Sequence, residues 1–242
     1  MRIPSILLCS VLICLVLQSN AQRNDRNQNR NDRRKPSLSF GFQVADPMEN
    51  LNQHFHSIYP GFEGQLLINL GQTPLEIGAG YAWNSMGNTQ RNVALPTGEG
   101  NGEIFYSAGN STLNFDHQRA YVVGRFEPLT TRIQPYADAF LGLQRFSTGQ
   151  VLEIDKGSYS EIYAKETLMQ HISPIGGFGF GLKWKITSWL MAESRYQYIN
   201  GIDAKIIAPS SLHVDSNGQT SFENTHLNTT MQTFQLGFSI EF

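Results

Sequence analysis

Eight segments of this chain alternate apolar with polar or small residues at period two, near residues 37–45, 61–70, 75–84, 119–128, 133–145, 172–186, 189–199 and 229–242. That period marks strands with two different faces. The connections between them alternate long and short without exception. Asp46 to Pro60, Ser85 to Gln118, Phe146 to His171 and Asn200 to Asn228 are long. Gly71-Gln72-Thr73-Pro74, Leu129-Thr130-Thr131-Arg132 and Thr187-Ser188 are short. Transmembrane barrels have such connections, long on one side of the bilayer and short on the other. The segments are about as long as the 9–11 tilted residues that span a bilayer, or somewhat longer. The expected fold is therefore all-β, an eight-stranded antiparallel up-and-down transmembrane barrel with four long loops and three short turns. Both termini then fall on the short-turn side.

No run after the first residues approaches the length of a membrane helix, and only a closed barrel otherwise pairs all its backbone groups in lipid. The first residues read as a secretory signal over 1–21. Arg2 precedes an apolar run, Ile6 to Leu17, too short to span a bilayer. Ser19-Asn20-Ala21 supplies small residues for cleavage before Gln22. Cys9 and Cys14 both lie in this segment, behind Leu8 and Ile13 rather than the small residue that lipidation needs, so the mature chain has no thiol. Residues 22–36 are almost free of apolar side chains. Arg23, Arg26, Arg30, Arg33, Arg34 and Lys35 outnumber Asp25 and Asp32 there, so a disordered basic tail is expected. Residues 37–242 form the barrel domain and carry a net charge of −7.

The two strand faces differ in chemistry. One is apolar and aromatic throughout, with Trp83, Tyr196 and Tyr198 near the long-loop ends and Phe126, Trp184 and Phe242 near the short-turn ends, as two interfacial girdles require. The other holds Glu63, Glu76, Arg119, Arg125, Glu127, Asp138, Lys183, Lys185, Glu193, Arg195 and Glu241, with Gly78, Gly80, Gly177, Gly179 and Gly181 between them. An eight-stranded barrel is only wide enough inside for side chains. Five cations against six anions should form a paired plug, the glycines leaving room for Arg and Lys.

The last strand, Thr229 to Phe242, ends on an aromatic residue, with Phe234, Leu236, Phe238 and Ile240 at every second position before it. It resembles the assembly signal of outer-membrane barrels, and residues 37–242 resemble the OmpA/OmpX-type barrel domain in its Bacteroidetes variant. The resemblance implies insertion by the barrel-assembly machinery and residence among outer-membrane lipids, with Phe234 to Phe242 as the signal. It implies no substrate.

Chemistry is hard to find. His54, His56, His117, His171, His213 and His226 lie in loops or at loop edges. His54-x-His56 has no further ligand at a recognisable spacing. Asp215-Ser216-Asn217-Gly218 lacks the rest of a calcium loop. Asn217-Gly218 and Lys156-Gly157 fit hairpin turns, so the loops are expected to extend some strands beyond the membrane. His171-x-Ser173 makes no complete triad, because Lys183 and Lys185 stand where an orienting acid would. No catalytic residue, cofactor, metal or nucleic acid is expected. The expected function is non-enzymatic: a barrel with a polar, side-chain-filled lumen, presenting acidic loops (each −2 from the sequence) for surface binding or envelope integrity. The partner is an unidentified surface or periplasmic protein. An accessory barrel of an envelope machine, such as type IX secretion or gliding, is the alternative, and a lipid-modifying enzyme the third.

Overall fold

Each of the eight alternating segments becomes one strand of a single closed sheet in a computed structural model of the chain. It describes residues 35–55, 58–71, 73–100, 103–155, 160–202, 204–207, 213–214 and 220–242. The signal segment lies outside these residues, as does the basic tail apart from Lys35 and Pro36. The barrel strands are β1 (Ser37–Pro47), β2 (Tyr59–Asn69), β3 (Leu75–Gly100), β4 (Glu103–Phe126), β5 (Ile133–Asp155), β6 (Ser160–Lys185), β7 (Leu190–Gly201) and, after four short loop strands, β12 (Met231–Glu241). Neighbours in sequence are neighbours in the ring, and β12 closes it on β1 from Ser37↔Glu241 to Pro47↔Met231. All pairs are antiparallel. No helix among the described residues is long and apolar enough to cross a membrane, which says nothing of strands.

Three tight turns close one end. Gly71 takes φ 71°, a conformation that costs glycine little. Thr73 Oγ1 donates to Leu70 O at 2.7 Å across the same turn. Thr131 Oγ1 donates to Ile133 O at 2.6 Å, and Ile186 N to Leu190 O at 2.9 Å. At the other end some strands run on beyond the membrane as expected, and further than the segments read from the sequence. Residues 85–118 and 146–171, read as long loops, are mostly strand: β3 pairs with β4 as far as Gly100↔Glu103, and β5 with β6 as far as Asp155↔Ser160. The Lys156-Gly157 turn itself lies outside the described residues. The first loop contains a helix that the sequence does not announce, α1 (Glu49–His54), and the last contains two small hairpins, β8 (Ala204–Ile207) with β11 (Asn224–Leu227) and β9 (His213–Val214) with β10 (Thr220–Ser221).

The ring has its apolar side outward. Phe42 is 83 % exposed and Leu141 73 %, and Phe62, Val122, Phe178, Trp184 and Leu236 are exposed with them. A belt of this size around a closed barrel would be untenable in water. In hydrocarbon it is the required surface, so the architecture is that of a membrane-spanning barrel.

Candidate functional site

Among the described residues the barrel interior is filled with side chains, and from its middle to the short turns it is largely ionic. Glu63, Glu76, Arg119, Arg125, Glu127, Asp138, Lys183, Glu193 and Arg195 are all at most 5 % exposed. Lys185 and Glu241, read as lumen charges too, are half-buried at the mouth. Glu63 on β2 is the hub. Arg119 on β4 donates to it at 3.0 Å and Arg195 on β7, across the lumen, at 2.8 Å. Tyr121, Gln65 and Gln197 donate to it as well. Arg125 forks onto Asp138 through Nε at 2.7 Å and Nη2 at 2.8 Å, the bidentate geometry that makes such pairs strong. Its guanidinium lies 3.7 Å from the centre of the Tyr136 ring. Tyr136 in turn donates to Glu193. Lys183 Nζ lies 2.7 Å from Glu127.

Toward the long loops an apolar cluster joins the buried polar side chains His117, Gln144, Ser173 and Thr229, so the lumen is mixed rather than polar throughout. Tyr121, Phe140, Phe146, Ile175, Ile199 and Met231 form one buried cluster, which reaches down to Leu67 and Val123 on the short-turn side of Glu63 and Arg119. The loops complete it. Leu51 of α1 is fully buried and Phe55 nearly so; Ala204, Ile206 and Leu227 of the β8–β11 hairpin cover the other part. Met48 N donates to Thr230 O at 2.9 Å and so fastens the start of α1 to the start of β12. The larger of these apolar side chains, Leu51, Phe55, Ile206 and Leu227, each contribute about 1.5–3 kcal/mol by burial. The first and last loops are thus part of the core rather than free.

Three of the five lumen glycines make room for rings rather than for the cations expected. Gly80 pairs with Tyr121, Gly177 with Phe140 and Gly181 with Tyr136 across adjacent strands. A β-carbon on Gly80 would lie 2.3 Å from the Tyr121 ring, and one on Gly181 2.2 Å from that of Tyr136. The two rings so seated are those that donate to Glu63 and Glu193. Register between strands creates these pairs, so a single strand read alone does not reveal them.

The histidines fare differently from expectation. His117 lies inside β4, fully buried, stacked on Phe146 at 4.7 Å and 3.2 Å from Gln144 Oε1. His171 lies in β6, and His226, exposed, in β11. His54 is half-buried at the end of α1; His56 lies outside the described residues. Ser173 is 3 % exposed and turned into the barrel, its hydroxyl accepting from Gln144 at 3.0 Å. Among the described residues no three of His, Cys, Asp and Glu are grouped as a metal site needs. Asp215 to Gly218 lies outside them. Phe234, Leu236, Phe238 and Phe242 are exposed on the lipid side of β12, with Ile240 half-exposed.

Beyond the ring four strands continue. β2 leaves β3 after Gly61↔Asn84, and β7 leaves β6 after Ile175↔Gly201. From there β3, β4, β5 and β6 rise as one four-stranded sheet. Residues 85–100 alone amount to roughly 50 Å of strand at about 3.3 Å per residue. Val93, Leu95 and Ile154 are buried within it; Phe105, Tyr106, Ile162 and Tyr163 are exposed.

A filled eight-stranded barrel with an apolar exterior defines a membrane β-barrel of the outer-membrane type. Solved structures of that type are similar to it. Neisserial surface protein A matches at 14 % identity and TM-score 0.46, over 86 % of this chain and 97 % of that one. The attachment invasion locus protein Ail of Yersinia pestis matches at 12 % and 0.44, over 86 % and 99 %. Outer membrane protein OprG of Pseudomonas aeruginosa matches at 10 % and 0.46, over 86 % and 96 %. No protein-family model matches the chain, and no curated protein does.

Proposed function

We propose that this chain resides in the outer membrane, termini toward the periplasm, and holds a recognition sheet above the cell surface without catalysing a reaction. The OmpA/OmpX-type resemblance and the terminal strand Phe234 to Phe242, as the assembly signal, support insertion by the barrel-assembly machinery. The observation that carries the function is the four-stranded projection. The barrel needs strands only as long as the lipid is thick. β3 to β6 exceed that length, and above Asn84 and Ile175 the sheet's two outer edges have no strand partner among the described residues. The charge pairs and packed side chains that fill the lumen support placing the function outside it. Segments 85–118 and 146–171 each carry a formal charge of −2. Their field favours a cationic protein partner, with an attraction that weakens as salt rises.

The test trims the projection at paired positions. Joining β3 to β4 near Asn88↔Asn114, and β5 to β6 near Thr148↔Met169, by tight turns leaves every barrel pair intact. The trimmed protein is expected to reach the outer membrane at normal yield and to show the same surface-binding or fitness defect as deletion of the gene. Full rescue of the deletion by the trimmed protein would contradict a role for the sheet.

A further inference from the structure

We infer that the outer wall along β7 holds one anionic phospholipid, its acyl chain in a trough between β6 and β12 and its phosphate on Arg132. The trough follows from side-chain size on the lipid-facing rows. Ala192 and Ser194 of β7 form its floor. Cross-strand register sets Trp184 and Phe238 on either side of Ala192, and Leu182 and Leu236 on either side of Ser194. All four wall residues are exposed, between 42 % and 58 %. Two small residues in consecutive rows thus lie between two pairs of large ones, and the depression measures about 400 Å³. The walls stand on strands two spacings apart, roughly 9–10 Å. Less the width of the wall side chains themselves, that leaves the breadth of one hydrocarbon chain. Tyr196 ends the trough toward the long loops, stacked on Phe180 at 5.3 Å and donating to Gln232 at 2.8 Å. A chain therefore enters from the short-turn end.

That end carries the charge. The Arg132 guanidinium lies 5.9 Å from the centre of the Trp184 ring, so the cation stands against a wall of the trough. Arg132 is exposed, and among the described residues its side chain has no ion pair or hydrogen bond. Trp189, 52 % exposed, stands in the next turn. Tryptophans and an arginine at the short-turn rim lie where a bilayer has its head groups. The arrangement is an apolar slot with one unpaired cation at its mouth. It suits a ligand with a hydrocarbon chain and a negative head, and a guanidinium meets phosphate with a fork of two N–H donors. No carboxylate is paired with Arg132 to receive the ammonium of a zwitterionic head group, so an anionic phospholipid is favoured. A helix of a partner protein, about 10 Å across, is too broad for the trough. The site faces the leaflet on the short-turn side, the periplasmic one in the proposed orientation. It lies at the opposite end of the barrel from the projecting sheet and stands whether or not the sheet binds a partner.

The test uses the full chain folded in phosphatidylcholine vesicles. It has three tryptophans, and Trp83→Phe leaves Trp184 and Trp189, at the site, as the emitters. Phosphatidylglycerol with brominated acyl chains, added as a minor fraction, is expected to quench this emission as if enriched about fivefold over its share of the bilayer, the order of one cationic contact at the membrane surface. Brominated diacylglycerol, which lacks the phosphate, should quench only in proportion to its share. Arg132→Gln should bring phosphatidylglycerol down to that proportion. Ala192→Leu, which fills the trough floor and leaves Arg132 in place, should lower the enrichment as well. Heat-modifiable migration checks that the barrel of each variant is folded. Three results would each overturn the proposal: quenching by phosphatidylglycerol in mere proportion to its share, equal enrichment of the diacylglycerol, or an enrichment unchanged in either folded variant.

Discussion

Replacing Glu63 by Ala is expected to lower the unfolding free energy of the barrel by about 3–5 kcal/mol, the usual cost of removing one partner from a buried ionic cluster. Glu63 accepts from Arg119, Arg195, Tyr121, Gln65 and Gln197 together. Arg195 retains Glu193 and Asp138 after the change, but Glu63 supplies the one ion pair of Arg119 among the described residues. The Arg119 charge would then be buried and unpaired. Glu63→Gln should cost less, since the amide still accepts hydrogen bonds while losing the charge. Adding Arg119→Met to Glu63→Gln should recover part of the loss, a coupling that a double-mutant cycle reads directly. Urea unfolding in lipid vesicles measures all three. A loss below about 1 kcal/mol for Glu63→Ala, the size of an ordinary exposed pair, would show that the cluster is hydrated rather than sealed.

The second large effect is steric. Gly80→Ala should destabilise the barrel by about 1–3 kcal/mol, as overpacking of a tight core does. The new methyl would meet the Tyr121 ring at 2.3 Å, and that ring cannot swing away freely, because it packs on Phe140 at 5.3 Å and donates to buried Glu63. Moving the ring also breaks its hydrogen bond to Glu63. Two comparisons isolate the cause. In a Tyr121→Ala background, Gly80→Ala should cost little. Gly124→Ala should also cost little, because the nearest atom to its β-carbon is 4.0 Å away. Equal losses at Gly80 and Gly124 would mean that strand propensity, not the ring, sets the effect.

Strand number, turn positions and the assignment of faces were legible because lipid and lumen impose opposite chemistry on alternate residues. Where that contrast ends, so does the signal. Asn88 to Asn92 is polar on both faces, so β3 above the lipid reads as loop although it is strand. Inside the barrel the opposite happens. Leu67, Val123, Phe140 and Ile175 point inward among apolar outward neighbours, and a segment such as Val122-Val123 has no contrast to read. The charged residues were therefore visible and the apolar half of the core was not. Helix α1 has six residues, too few for a helical period to show. The Gly80–Tyr121 and Gly181–Tyr136 seats depend on inter-strand register. His54 stands out in the sequence only for its spacing to His56; Tyr59, Asn88 and Phe115, which line one crevice with it, come from three separate strands.

The central claim is a barrel that crosses the outer membrane with its sheet outside and its short turns inside. Both cysteines lie in the first fourteen residues, so the unsubstituted chain is the background control for single cysteines introduced later. Phe105→Cys and Ile162→Cys place a thiol on the projecting sheet, Leu141→Cys on the lipid belt, and Thr130→Cys in a short turn; all four positions are exposed on the protein. Treating intact cells with a membrane-impermeant maleimide should label positions 105 and 162, leave 141 unlabelled, and reach 130 only after the outer membrane is permeabilised. Labelling of 130 in intact cells with 105 and 162 protected, or labelling of 141 alongside all the others, would contradict the account.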